Sequence, residues 1–187
     1  LNQEFVPSLG DISRLFHYSA GVTKKKDFGG GEILFRAAAC TGALYHIEVY
    51  LVCADLPGLK AGVYHFDPRD HVLRCLRIGD YRHILNKACG DKRRVKGFPA
   101  TVVLSSVYWR NAWKYQSRAY RHTYWDSGTI VANFQTVAAS QSIPTKLVLN
   151  FIDELVNDLL GLDTDKEVAI AVLPVGSFYE LQQTLGP

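Results

Sequence analysis

The chain has 187 residues, of which 48% are hydrophobic and 12% aromatic, the balance of a globular protein and not of a disordered or fibrous one. With no Pro-rich or low-complexity linker, that length reads as a single domain. The 21 Lys and Arg against 18 Asp and Glu leave a net charge of only +3, which does not call for nucleic acid as a partner.

Residues 1–10 carry Pro7 and Gly10 and read as an irregular arm. Ser8 or Asp11 then caps a short helix with Ile12, Leu15 and Phe16 on its buried face, and Gly21 ends it. Lys24, Lys25, Lys26 and Asp27 lead into Gly29, Gly30 and Gly31, the composition of an exposed, solvated loop. A phosphate-binding loop would end in Gly-Lys-Ser/Thr and open a helix, whereas this stretch runs on into Glu32 and Ile33.

Every side chain in residues 37–43 is small, so the backbone there can approach a flat ligand closely or pack as a tight helix start against a neighbour. Residues 47–53 are apolar and β-branched enough for a buried strand. Residues 56–60 make a turn. Residues 61–67 and 71–77 alternate apolar and polar side chains about Pro68, Arg69 and Asp70, a hairpin signature. Residues 81–89 repeat apolar side chains at helical spacing, and residues 92–96 (KRRVK) form a second basic loop. Residues 100–108 carry no charge, which places that strand in the sheet interior.

From Trp109 the period changes from two to 3.6. Arg110, Lys114, Arg118 and Arg121 then share one helix face, and Trp109, Trp113, Tyr120 and Tyr124 the adjoining face at core spacing. Residues 127–142 form a helix that is apolar or small all round, expected to be buried in a core or an interface. Residues 151–160 are an amphipathic helix ended by Gly161, and residues 167–175 a last strand. A hairpin-containing set of strands interrupted by helices fits α+β better than a doubly wound parallel sheet.

The four cysteines, Cys40, Cys53, Cys75 and Cys89, have neither C-x-x-C nor metal-ligand spacing, and no secretory signal precedes them. Reduced thiols and a cytoplasmic location are expected. The uncharged run 127–144 is too short and polar to span a bilayer, so no membrane partner is expected. The six histidines do not cluster and no metal is expected; Cys40 with nearby His46 leaves a Cys-His nucleophile open, without supporting spacing. The chain contains no Met and begins at Leu1, which suggests processing or a cut from a longer polypeptide.

Residues 36–50 (RAAACTGALYHIEVY) resemble the R-x-x-P-S-A-G-A-L-Y-P-I-E-x-Y segment of nitroreductase-like flavoproteins, and in particular their SagB-type branch, which includes the azoline dehydrogenases. Residues 62–68 (GVYHFDP), 112–128 (AWKYQSRAYRHTYWDSG) and 151–162 (FIDELVNDLLGL) agree in the same order. The resemblance implies a nitroreductase fold, a mainly antiparallel sheet flanked by helices with a long interface helix. It also implies FMN as cofactor, and either a homodimer or a second nitroreductase-like domain as partner.

Carried over by position, the resemblance makes Arg36, Ala39, Cys40, Thr41, Gly42 and Leu44 cofactor-binding, together with Leu149 and Asn150 ahead of the Phe151 helix. Lys114 and Tyr115 match the catalytic pair, which removes a proton while hydride passes to FMN. The two side chains point about 100° apart on a helix, so they reach one ligand only if the helix begins or bends there. Residue types alone leave Lys114 as a member of a solvated basic face. Two functions follow: an FMN-dependent oxidoreductase acting on a small or peptide-borne substrate, or a non-catalytic half that completes a dimer-like assembly without its own FMN.

Overall fold

The computed structural model describes residues 4–90 and 97–177, so the basic stretch 92–96 lies outside the described residues. Helix α1 (Leu9–Ala20) is followed by strands β1 (Val22–Phe28) and β2 (Gly31–Arg36), and then by β3 (Ile47–Cys53), β4 (Gly62–Asp67) and β5 (Val72–Ile78). Helix α2 (Arg82–Ala88) leads to β6 (Ala100–Ser106). Helices α3 (Trp109–Tyr115), α4 (Ala119–Ser140) and α5 (Asp153–Leu160) follow, and β7 (Val168–Val175) closes the order.

The five longer-range strands form one sheet in the order β5-β4-β3-β6-β7, every neighbouring pair antiparallel. This is the α+β architecture expected. The strand period of two splits β3 between two cores. Val49, Leu51 and Cys53 pack with Ile12, Leu15 and Phe16 of α1 and with Ile130 and Phe134 of α4. Tyr50 and Val52 pack on the opposite face with Leu85 of α2 and Val156 and Leu159 of α5. Burying a side chain such as Leu51 contributes about 2 kcal/mol, and both faces of β3 are covered, so the strand reads as a continuous apolar run. The α1 start is fixed by a capping box in which Ser8 and Asp11 satisfy each other's backbone N–H, worth about 1 kcal/mol.

Three expectations are corrected. The lysine and glycine stretch is not a loop: Lys24, Lys25 and Lys26 pair with Phe35, Leu34 and Ile33 in an antiparallel ribbon turned at Gly29 and Gly30. Its side chains are largely exposed, so no burial alternation marks it, and backbone pairing alone makes the strand.

The helix from Trp109 is not continuous. Gln116, with φ 50°, breaks it after Tyr115, and one turn of 3-10 helix joins α3 to α4. The four cations therefore do not lie on one common face: Arg110 turns inward to Glu48, while Arg121, beyond the break, stacks over Trp125. The aromatics at core spacing are surface residues, with Trp113 70% and Tyr120 74% exposed.

Within one chain α4 is not buried all round. His122, Thr123, Asp126, Ile130 and Phe134 face inward, whereas Gly128, Thr129, Ala132, Thr136 and Ala139 are exposed. The exposed side nevertheless carries no charge from Ser127 onward. Among the described residues, no helix is long and apolar enough to cross a membrane.

Candidate functional site

Between β2 and β3 the chain makes a turn with little regular structure of its own. A single 3-10 turn, Thr41–Ala43, is closed by Ala43 N–H donating to Cys40 O at 3.0 Å. Gly42 has φ 64°, and Ala43 and Tyr45 also lie in the left-handed region, at 54° and 46°. Such backbone is costly for residues with a Cβ, on the order of 1 kcal/mol each, and persists only where the surroundings over-determine it.

The surroundings are Asp126 of α4. Its Oδ2 accepts from Thr41 N–H at 3.0 Å and from the Cys40 thiol at 3.1 Å, and its Oδ1 from the Thr41 hydroxyl at 2.8 Å. His46 Nε2 lies 3.0 Å from the same Oδ2, and His46 Nδ1 lies 3.0 Å from Ser106 Oγ of β6. Burial pushes the Asp126 carboxyl up, but donors from His46, Cys40 and Thr41 outweigh it and hold the group below its usual range. The Cys40 thiol is pushed up to about 12 by burial and by its hydrogen bond to Asp126. A thiol so held is a donor and not a nucleophile.

Arg36 anchors the root of the turn. Its Nε donates to Ala20 O at 2.6 Å and its Nη1 to Ile47 O at 3.0 Å, while Nη2 is buried without a hydrogen-bond partner. Thr129 of α4 ties the turn's other limb by donating to Ala39 O at 3.0 Å.

The predicted catalytic pair stands directly over the turn. A Cβ added at Gly42 would lie 2.5 Å from Tyr115 Oη and 3.3 Å from Lys114 Nζ. The break at Gln116 ends α3 at this point and frees both side chains to reach the turn. Tyr115 is held edge-on to His122, ring centroids 4.5 Å apart; Lys114 is exposed.

A cavity of about 440 Å³ opens beside the turn, lined among others by Arg36, Leu44, Tyr45, Glu48, His65 and Arg110. Its carboxylate Glu48 is paired, accepting from His65 and from Arg110. Burial pushes the Glu48 carboxyl up, and those two partners bring it below its usual range.

Leu149 and Asn150 are not brought to the turn. Both are exposed, in a segment whose Val148 bridges Val172 on the outer side of β7. Counting strand spacings and rise, this is on the order of 20 Å from the start of β3. Sequence reasoning singled out Arg36, Cys40, Thr41 and Gly42 but missed Asp126, which holds Cys40 and Thr41 in place. The signal was an acidic residue interrupting an otherwise uncharged helical stretch, a position expected to be paired when buried.

Comparison with known proteins identifies the family and the fold. The sequence model of the nitroreductase family matches residues 34–177. MJ1384 of Methanocaldococcus jannaschii is 24% identical over 169 residues, covering 90% of this chain and 80% of that protein. The trifolitoxin-processing protein TfxB of Rhizobium leguminosarum is 29% identical over 174 residues, 90% of this chain but 47% of TfxB. Among solved structures, a protein of Anabaena variabilis superposes with a TM-score of 0.85 at 35% identity, over 95% of this chain and 37% of that one. The present chain thus spans less than half the length of two of these three relatives.

Proposed function

The chain belongs to the nitroreductase family, and from that premise we propose that it is an FMN-dependent oxidoreductase domain of the SagB-type branch, working against a second nitroreductase-like domain. The main support is the meeting of the small-residue turn with Lys114 and Tyr115 at Gly42, two stretches about seventy residues apart in the chain. The relation to TfxB favours a peptide-borne substrate over a free small molecule. An Escherichia coli microcin synthetase complex with a bound precursor peptide, TM-score 0.78 at 22% identity over 92% of this chain and 65% of that one, has the same fold.

The residues suit the ring of a flavin better than its phosphate. The Lys114 ammonium and Tyr115 hydroxyl, side by side over a turn without bulky side chains, supply the cation and donor that the electron-rich edge of a reduced flavin requires. Residues 4–8 hold no Lys or Arg, so cations for the phosphate come from another segment or from the partner domain. FMN, when bound, supplies the hydride acceptor or donor.

The chain's own residues do the rest. Ala39, Cys40, Thr41, Gly42 and Leu44 would hold the ring through backbone and through small or apolar groups, and Arg36 fixes the root of that turn. The Cys40 sulfur is turned inward to Asp126, so its contribution to the ring is its backbone. Lys114 takes or returns the substrate proton, with Tyr115 positioned as its relay. An exposed lysine is a poor base until water is excluded. The partner domain provides that cover, and brings the Leu149 and Asn150 segment of a second copy toward the turn. The uncharged outer face of α4 is the surface on which it docks.

One observation favours the second function, a non-catalytic half. Arg36, the cation nearest the turn by sequence, spends two of its nitrogens on Ala20 and Ile47 carbonyls. FMN titration followed by gel filtration separates the two. Retention of one FMN per domain, read from the visible flavin band, supports the oxidoreductase. A chain that associates with its own kind yet remains colourless overturns the FMN assignment.

A further inference from the structure

The Cys40, His46 and Asp126 side chains offer a sulfur, a nitrogen and an oxygen that all lie within 4.8 Å of one another. His46 is fully buried and Asp126 nearly so. The three come from a turn and from a helix packed across it, so the arrangement is tertiary and no sequence spacing encodes it. Cys40 Sγ and His46 Nε2 lie 3.1 and 3.0 Å from Asp126 Oδ2, and because an ionised carboxylate only accepts, each of them turns a proton toward it.

We propose that Cys40, His46 and Asp126 form a binding site for a single Zn²⁺ ion, which takes the place of those two protons. A tetrahedral zinc has legs of about 2.0 to 2.3 Å to nitrogen, oxygen and sulfur, which sets its ligand atoms roughly 3.3 to 3.8 Å apart. The two measured separations fall short of that by about half an ångström or less, a shift that side-chain torsions accommodate. The set is of the right kind: thiolate and imidazole favour zinc over magnesium or calcium, and one thiolate with one carboxylate neutralises its charge.

The surroundings complete the site. Ser106 Oγ holds His46 Nδ1 at 3.0 Å, and Thr123 Oγ1 stands 3.2 Å behind it. A hydroxyl both donates and accepts, so His46 can change tautomer, placing its proton on Nδ1 and its lone pair on the metal. Thr41 keeps the orientation of the carboxylate through its N–H and hydroxyl.

A cavity of about 10 Å³, room for one water-sized species, is lined by Cys40, Asp126, Tyr45 and Arg36. Arg36 lines that cavity, and its Nη2 is buried without a hydrogen-bond partner. We assign it as the donor to a water molecule that is the fourth ligand. Binding releases one proton, that of the Cys40 thiol, while the His46 proton moves from Nε2 to Nδ1.

The test is titration of the chelator-treated chain with Zn²⁺, followed by calorimetry in buffers of different ionisation enthalpy, and with Co²⁺ as a spectroscopic probe. One ion per chain is expected, with one proton released and a sulfur-to-cobalt charge-transfer band. Difference spectra against the zinc-loaded protein cancel any chromophore already present.

Cys40→Ser removes the band, and Cys75→Ser, which alters the exposed thiol, leaves it intact. Ser106→Ala keeps the band and weakens affinity about tenfold. A rise in melting temperature with Zn²⁺ in the wild type, absent in His46→Gln, is the matching stability readout. Absence of a sulfur-to-cobalt band in the wild type, which needs no variant to fold, overturns the site. So does equal zinc affinity in wild type and Cys40→Ser.

Discussion

Asp126 and His46 are 80 positions apart in the sequence, and their Oδ2 and Nε2 atoms are 3.0 Å apart. That contact, with the Cys40 and Thr41 donors on the same carboxylate, converts a run of small residues into a turn of defined shape. Helix α4 is thereby both the wall of one hydrophobic core and the clamp on the turn.

Asp126→Asn should destabilise the fold at neutral pH by on the order of 3 kcal/mol, because it replaces an ionised acceptor of four donors with an amide that can accept at one atom only. The carboxyl sits below its unfolded value of 3.8. Its stabilisation is therefore fully present above that value and is lost as pH falls through the lower, folded one. Denaturant unfolding of wild type and variant should show the gap closing at acid pH; a gap independent of pH would mean that the charge is not what matters.

Gly42→Ala should cost about 1 kcal/mol for placing a Cβ at φ 64°, plus a crowding cost against Tyr115 Oη. The crowding part should shrink in a Tyr115→Phe background, which a double-mutant cycle measures. Additive costs would place Tyr115 out of contact with the turn. Because this contact exists, a bulky residue at Gly42 disturbs the turn itself and does not report on flavin alone.

Lys114→Ala should abolish turnover of an azoline-type substrate while retaining flavin, and Lys114→Arg should do the same, since guanidinium keeps the charge but cannot act as a base near neutral pH. Single-turnover kinetics check the pair. If the Arg variant turns over as fast as the wild type, Lys114 serves electrostatics and the proton goes elsewhere.

Ala132→Arg, on the uncharged exposed side of α4, should leave the melting temperature of the isolated chain nearly unchanged and shift association toward monomer by tenfold or more, because a charge buried at an interface without a partner costs several kcal/mol. Sedimentation across a concentration series reads this. Unchanged association would move the interface off α4.

The sequence by itself determined the sheet and the helices that cover it. In residues 47–53 and 100–106 the nearly unbroken apolar and β-branched run that marks a strand is a consequence of burial on both faces, and burial is what the two cores supply. The Ser8 and Gly161 helix ends were readable for a similar reason, since capping is a local transaction between a side chain or a left-handed glycine and its own first or last turn. The ribbon at Lys24 was not readable, because an exposed strand buries nothing and leaves no period behind it.

The turn residues and the Lys114–Tyr115 pair were legible in the sequence, but tertiary structure decided how they are assembled and clamped. Cys40, His46 and Asp126 lie on a turn and a helix whose relative placement depends on how α4 packs across β3 and β6, and no periodicity within either element carries that information. The break at Gln116, which lets Lys114 and Tyr115 stand together over Gly42, costs a strained backbone that no local preference favours. It persists because contacts on both sides of it, Arg110 with Glu48 before and Asp126 with the turn after, hold α3 and α4 to different parts of the same framework.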